Sequence, residues 1–321
     1  MGMLIEGVWA DEQREPPRTK DGEFVRPATS FRGWISADGS SGFRAEPGRY
    51  HLYIALACPW AHRTYLYRAL KGLEKALPVS RVGSINTLQG WAFEGEGATP
   101  DGANGARYLH EVYNKAQPGY TGRVTVPVLW DTGTQTIVNN ESSEIIRMLN
   151  RELDAFAEKN FPDMVPPELQ PEIDRWNELI YRTINNGVYR AGFATAQDKY
   201  ERAVGELFAS FELLDRHLAN NRYLCGSRLT EADWRLFTTL IRFEPVYHYH
   251  FKCNLRRLRD YRNLWGYTRE LYQFPGVAQT VDTAQIKLHY YGAQTRVNPS
   301  GVVPVGPILD YNEPHGRAGV E

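Results

Sequence analysis

Residues 51–74 read HLYIALACPWAHRTYLYRALKGLE, and this run changes its period in the middle. His51 to Leu56 is a short apolar stretch of strand length. From Pro59 onward Arg63, Tyr67 and Leu70 recur at helical spacing. Pro59 suits the first helical position, where a missing N–H costs nothing, and Gly72 suits the stop. Cys58 therefore falls at a strand-to-helix junction, at or just before the helix N-terminus.

Downstream, Arg81 to Ile85 reads as a second strand, and residues 88–122 hold Gly-rich loops with a short helical piece near Tyr108 to Lys115. VTVPVLWD, residues 124–131, reads as a strand entered through Pro127, with TIVNN as its hairpin partner. NESSEIIRMLNREL, from Asn140, opens on acidic and hydroxyl residues and continues with Ile145, Ile146 and Leu149, which is a helix start. The order strand, helix, strand, helix, strand, strand, helix is that of a thioredoxin-like α/β domain, placed at residues 46–155. The Pro-rich FPDMVPPELQP from Phe161 reads as a linker. Helical periodicity then dominates, at 168–186, 197–219, 230–243, 256–273 and 278–289, so residues 165–295 form an all-α domain. LTEADW carries a capping box, with Thr230 as cap and Asp233 three positions on. Residues 1–45 read as an extended arm and 296–321 as an irregular tail.

The 321-residue length suits two domains. A hydrophobic fraction of 42% with 23% charged residues describes a globular chain with a substantial core. A formal net charge of −1 gives no pull toward nucleic acid or anionic membranes. The opening MGMLIEGVWADEQREPP is too short and acidic for a secretory signal, and no run approaches the roughly 18 apolar residues of a membrane span. Three cysteines, Cys58, Cys225 and Cys253, are too few and too odd in number for a disulfide framework and point to a reducing compartment. The expected location is the cytoplasm. His248 to His250 form a lone HYH cluster without cysteines at zinc-finger spacing, so no metal is expected.

An unpaired cysteine is usually a small buried hydrophobe. Cys58 differs, because a helix N-terminus presents unsatisfied N–H groups and the positive end of the dipole, both of which favour thiolate. His62 and Arg63 lie within the next turn. The position three residues on is Ala61, so there is no second thiol to close a local disulfide, and a mixed disulfide at Cys58 has to be resolved by an external thiol such as glutathione. Pro127 reads as a cis-proline turn whose preceding residue, Val126, offers its backbone edge to a peptide-like ligand. Glu141 can pair with the α-amino group of a γ-glutamyl moiety, while Ser142 and the helix N-terminal amides hold its carboxylate.

CPWA at 58–61, GW at 90–91, RVTVPVLWD at 123–131 and NNESSEIIRMLN at 139–150 resemble the glutathionyl-hydroquinone reductases, the xi class of the glutathione transferase superfamily. The helical half is similar to the same family in NNGVYRAGFATAQ, LTEADWRLFTTLIRFEPVYHYHFKCN and QIKLHYYG, and the likeness runs from about residue 40 to 310. It implies a thioredoxin-like domain followed by an all-helical glutathione-transferase-type domain, with homodimers formed through the helical domains. It implies Cys58 as the catalytic thiol and Tyr189 as proton donor. Tyr247 and Tyr290 would stabilise the thiolate and line the acceptor pocket. Trp91, Arg123, Val124, Thr125 and Val126 would line glutathione, beside Pro127, with Glu141 and Ser142 on its γ-glutamyl end. The implied reaction reduces aromatic glutathionyl conjugates, with glutathione as co-substrate and no metal. A conjugating transferase, a glutaredoxin-like thiol transferase, a dehydroascorbate-type reductase and a glutathione-binding interaction module are the rivals.

Overall fold

The computed structural model describes residues 2–10 and 17–320, and the part of the expected arm at 11–16 lies outside them. The chain divides into two compact units. The first contains Met1–Glu15, Ala28–Pro162 and Gln279–Ala293; the second contains Pro16–Pro27, Asp163–Ala278 and Gln294–Glu321.

The first unit opens on an antiparallel hairpin of β1 (Met3–Ile5) and β2 (Val8–Ala10), turned by Glu6 and Gly7. A two-residue parallel pair follows, β3 (Ile35–Ser36) with β4 (Phe43–Arg44). The expected arm thus carries short paired strands. The central sheet is built from β5 (Tyr50–Ile54), β6 (Val79–Arg81), β7 (Val128–Asp131) and β8 (Thr136–Asn139), in the order β6-β5-β7-β8. β5 runs parallel to β6 and antiparallel to β7, and β7 is antiparallel to β8. This is the thioredoxin-like sheet. The helices are α1 (Pro59–Lys71), α2 (Leu109–Ala116) and α3 (Ser142–Arg151). α1 packs on α3, where the buried Lys71 ammonium donates to the Asn150 carbonyl at 2.7 Å, and α2 packs against β8. Leu52, Leu66, Val128, Ile145, Ile146 and Leu149 fill the core at essentially zero exposure. α1 ends at Gly72 in the left-handed conformation.

β5 spans Tyr50–Ile54 and so ends two residues before the expected Leu56. The second strand is Val79–Arg81 rather than Arg81–Ile85. Val82 still donates to the Ile54 carbonyl, but the Gly83 and Ser84 amides turn to the carbonyls of Ala92 and Glu96, so the chain leaves the sheet to pair with its own loop.

At the end of β7, Asp131 is fully buried. It accepts from Arg49 Nε and Nη2 at 2.8 Å each, from the Gly133 amide at 2.9 Å and from the Thr134 hydroxyl at 2.6 Å. Burial pushes this carboxyl up, but the Arg49 guanidinium and the other donors outweigh it and hold it below its ordinary value. A carboxyl depressed in the folded state contributes stability that is present above its unfolded value and lost as pH falls through the folded one. Asp131→Asn is expected to cost about 2 kcal/mol at pH 7, since it removes the two charge-assisted hydrogen bonds from Arg49, which keeps only the half-exposed Glu46 as a charge partner at 3.1 Å. The difference from wild type should begin to narrow below about pH 4. Urea unfolding at pH 7 and at about pH 3.5 reads both effects.

The second unit is helical: α4 (Gln170–Ile180), α5 (Gly187–Gly192), α6 (Gln197–His217), α7 (Glu231–Arg242) and α8 (Arg262–Gln273). The capping box forms as read, with the Asp233 carboxylate accepting the Thr230 N–H at 2.8 Å and its hydroxyl at 2.9 Å. The expected helix 168–186 gives way at residue 181 to a π-turn, Tyr181–Asn185, which leads into the short α5. After α7 a second π-turn spans Phe243–Tyr247. Its cause is Pro245, which has no N–H for the Ile241 carbonyl and crowds it. The His248 amide instead reaches Phe243 at 2.9 Å, and the Tyr311 hydroxyl donates to the Ile241 carbonyl at 3.4 Å. The expected helix 256–273 starts late, with a single 3-10 turn at Leu258–Asp260 before α8. In the first unit, α9 (Thr283–Lys287) begins from the Asp282 cap and runs into a third π-turn, Leu288–Ala293. Among the described residues no helix is long and apolar enough to cross a membrane.

Candidate active site

Cys58 is the N-cap of α1, in extended conformation, and its sulfur accepts the Ala61 amide at 3.5 Å. The same sulfur lies 3.7 Å from the Val126 carbonyl oxygen, so the thiol has a hydrogen-bond acceptor on the strand entry opposite. Cys58 is half-buried and forms no disulfide. The first turn of α1 contains no acidic side chain to oppose negative charge on the sulfur.

The other two thiols differ in environment. Burial pushes Cys225 up to about 12 and pushes Cys253, wholly enclosed, higher still. Both are protonated in neutral solution and are poor nucleophiles. Cys225→Ala and Cys253→Ala are each expected to retain turnover within about two-fold, the ordinary scatter for a substitution that touches no reacting group. Steady-state assays of the two variants check this.

The segment that faces Cys58 is held by a residue that strand and helix periodicity does not single out. The Tyr113 hydroxyl donates to the Thr125 carbonyl at 2.8 Å, stands 3.3 Å from the Thr125 amide, and accepts from Asn140 Nδ2 at 3.1 Å. Burial raises Tyr113 to about 12, so it stays a protonated donor at neutral pH. Val124 and Val126 are mostly buried, the Arg123 carbonyl accepts from Tyr120 at 3.4 Å, and the Val126–Pro127 peptide bond is cis.

Glu141 caps α3. One carboxylate oxygen accepts the Ser143 amide at 3.1 Å and the Ser143 hydroxyl at 2.9 Å, and the other receives the Thr29 hydroxyl at 3.4 Å. Ser142 is buried and accepts from Arg63 Nη1 at 3.4 Å. That hydrogen bond ties α1 to α3, and the Arg63 guanidinium also lies 4.6 Å from the ring centre of Trp60 on its own helix. His62 is hydrogen-bonded to the Thr280 hydroxyl at 2.8 Å. Trp91 is 8% exposed and stacks on His289, with ring centres 5.1 Å apart and planes at 18°. Tyr290 follows His289 in the third π-turn and is buried. The first unit thus contains Cys58, Trp91, residues 123–127, Glu141, Ser142 and Tyr290. Direct contact within this set joins Cys58 to Val126.

Tyr189 and Tyr247 belong to the second unit and lie together there. Tyr189, on α5, meets Tyr247 at 5.9 Å and Phe251 at 5.5 Å between ring centres, and the Arg26 guanidinium lies 4.8 Å from its ring. Tyr247 stacks on Phe251 at 5.6 Å and 21°. The cluster closes because position 192 is glycine: a Cβ there would come within 2.2 Å of the Phe251 ring. Tyr247 and Tyr290 lie within π-turns and Tyr189 follows one by four residues. Such turns occur often at functional sites. Pro245 was the visible signal for one of them; Arg26, Phe251, Tyr113 and His289 left none.

The Glutathione S-transferase N-terminal domain family matches residues 57–152, and the Glutathione S-transferase C-terminal domain family matches residues 197–270. The glutathionyl-hydroquinone reductase YqjG of Escherichia coli is 50% identical over 99% of this chain and 98% of its own length. The glutathionyl-hydroquinone reductase PcpF of Sphingobium chlorophenolicum is 52% identical over 96% of each. Among solved structures, a xi-class glutathione transferase from Natrialba magadii superposes with a TM-score of 0.92 at 48% identity, covering 100% of this chain and 97% of its own. A glutathione-bound structure of YqjG gives 0.90 at 48% identity, covering 98% and 99%.

Proposed function

This chain belongs to the glutathionyl-hydroquinone reductases, the xi class of the glutathione transferases, and from that premise we propose how its residues carry the reaction. It is a glutathione-dependent oxidoreductase that reduces glutathionyl-hydroquinones to free hydroquinones. The observation that carries the residue assignment is Cys58 at the α1 N-cap, its sulfur against the Ala61 amide and the Val126 carbonyl.

In the first half-reaction the Cys58 thiolate attacks the sulfur of the conjugate. The Cys58–glutathione disulfide forms, the aryl C–S bond breaks, and its electron pair stays on the ring carbon. Tyr189 protonates that carbon and the hydroquinone departs. In the second, the thiolate of another glutathione attacks the glutathionyl sulfur, oxidised glutathione leaves and the Cys58 thiolate returns. One conjugate and one glutathione are consumed, one hydroquinone and one oxidised glutathione are produced, and the kinetics are ping-pong.

Trp91, Arg123 and the backbone of Val124 to Val126 line the tripeptide beside Pro127, and Glu141 with Ser142 receives its γ-glutamyl end. Tyr247 and Tyr290 line the acceptor pocket and stabilise the thiolate. The enzyme acts in the cytoplasm as a homodimer assembled through its helical domains. A conjugating transferase needs a Ser or Tyr hydroxyl to hold glutathione thiolate as the nucleophile, whereas a protein cysteine would be trapped as a disulfide, so Cys58 favours reduction. The test is to mix enzyme with one equivalent of a glutathionyl-hydroquinone and follow intact mass. A glutathione adduct on Cys58 that forms with hydroquinone release and disappears on adding glutathione is the expected result. Turnover with no adduct under single-turnover conditions would sink the covalent scheme.

A further inference from the structure

Two segments distant in the chain bear on Trp91 and on the turn before it, Trp9 on the turn and His289 on the indole. The first is the N-terminal hairpin. Trp9 Nε1 donates to the Leu88 carbonyl at 2.9 Å, and its ring lies against Gly90 so closely that a Cβ at position 90 would fall 2.7 Å from it. Trp9 stacks in turn on His110, with ring centres 4.8 Å apart and planes at 17°, and His110 stacks on Tyr108. The turn that Trp9 presses is closed by reciprocal hydrogen bonds between Thr87 and Gly90, 2.9 Å each. Trp91 is the next residue. The second contains His289, whose Nδ1 lies 2.8 Å from the Ser84 carbonyl. A carbonyl only accepts, so this nitrogen carries the proton and the ring plane is set. His289 stacks on Trp91 in that plane. Its segment is further pinned to the loop, where Gln285 donates to Glu96 at 3.0 Å and meets Ser84.

The hairpin also reaches the second stretch assigned to glutathione. Leu4 and Gly122 exchange two backbone hydrogen bonds of 2.9 Å, Gly7 donates to Tyr120 at 3.1 Å, and the Glu6 amide donates to the Thr121 hydroxyl at 2.8 Å. Gly122 directly precedes Arg123. One eight-residue hairpin therefore touches both the 88–90 turn and the start of the 123–127 segment.

We propose that Trp9 and His289, which lie outside the four-stranded core, are positioning residues that hold Trp91 in the orientation in which it meets glutathione. This rests on the assignment of Trp91 to the glutathione site. Ordering the indole in the unliganded protein lowers what binding must spend on immobilising it. Neither residue touches the reacting atoms, so each should affect glutathione affinity far more than the chemical step.

The experiment is a double-mutant cycle, read by calorimetric titration of the full-length protein with reduced glutathione and by kcat. Trp91→Ala is expected to weaken binding by about ten-fold, and Trp9→Ala and His289→Ala by about five-fold each with kcat within about two-fold of wild type. Added to Trp91→Ala, either second substitution should weaken binding by less than about two-fold, because the residue it positions is gone. Trp9→Phe, which keeps a stacking ring and loses the donor to Leu88, should fall between wild type and Trp9→Ala and serves if the alanine variant does not fold. Full additivity in the cycle, or unchanged affinity in Trp9→Ala and His289→Ala while Trp91→Ala weakens it, would overturn the positioning role alone. Unchanged affinity in Trp91→Ala would remove Trp91 from the glutathione site and the proposal with it.

Discussion

Cys58→Ala is expected to lose at least about 10³-fold in glutathionyl-hydroquinone turnover, the scale on which removing a covalent nucleophile acts. The fold should survive. Position 58 is an extended N-cap, alanine fits that conformation, and no disulfide is lost. What disappears is one acceptor for the Ala61 amide, and replacing a good cap by alanine costs about 1 kcal/mol. A near-unchanged melting temperature with abolished turnover is therefore the expected pair of results. Cys58→Ser separates the chemistry further. Its hydroxyl can still cap the helix, but an alkoxide does not form at neutral pH and no mixed disulfide can follow. Residual activity should then be conjugation, with glutathione itself as nucleophile. Reduction by Cys58→Ser at a rate near wild type would exclude the covalent scheme.

Tyr189→Phe should slow the first half-reaction and spare the second. Protonation of the ring carbon belongs only to C–S cleavage, and general acid catalysis contributes about 10²- to 10⁴-fold, so the loss in that half should lie in this range. The second half exchanges sulfur for sulfur and moves no proton to carbon. Phenylalanine keeps the ring that meets Tyr247, Phe251 and the Arg26 guanidinium, so the aromatic cluster should hold. Stopped-flow measurement of each half separately reads the asymmetry. Equal slowing of both halves would assign Tyr189 to shaping the pocket; no slowing of either would pass the acid role to Tyr247 or Tyr290.

Much of this protein is local in its sequence. The change of period at Cys58–Pro59 determines where α1 begins, because strand and helix place their apolar residues at different intervals, although β5 itself already ends at Ile54. The Thr230–Asp233 capping box starts α7 for the same kind of reason: its hydrogen bonds close within four residues. Tertiary structure decided what depends on partners distant in the chain. The second strand begins at Val79 rather than Arg81 because its register is set by β5 and by the loop that draws Gly83 and Ser84 away. Helical periodicity runs from residue 278 onward like the helices before it, yet Gln279–Ala293 packs into the first unit, where His62 bonds Thr280 and His289 stacks on Trp91. Trp9 and Tyr113 leave no trace in composition or spacing, since their partners are separated from them by 79 residues and by 12 and 27. Periodicity reports which face of an element is buried, and only the folded chain determines what that face is buried against.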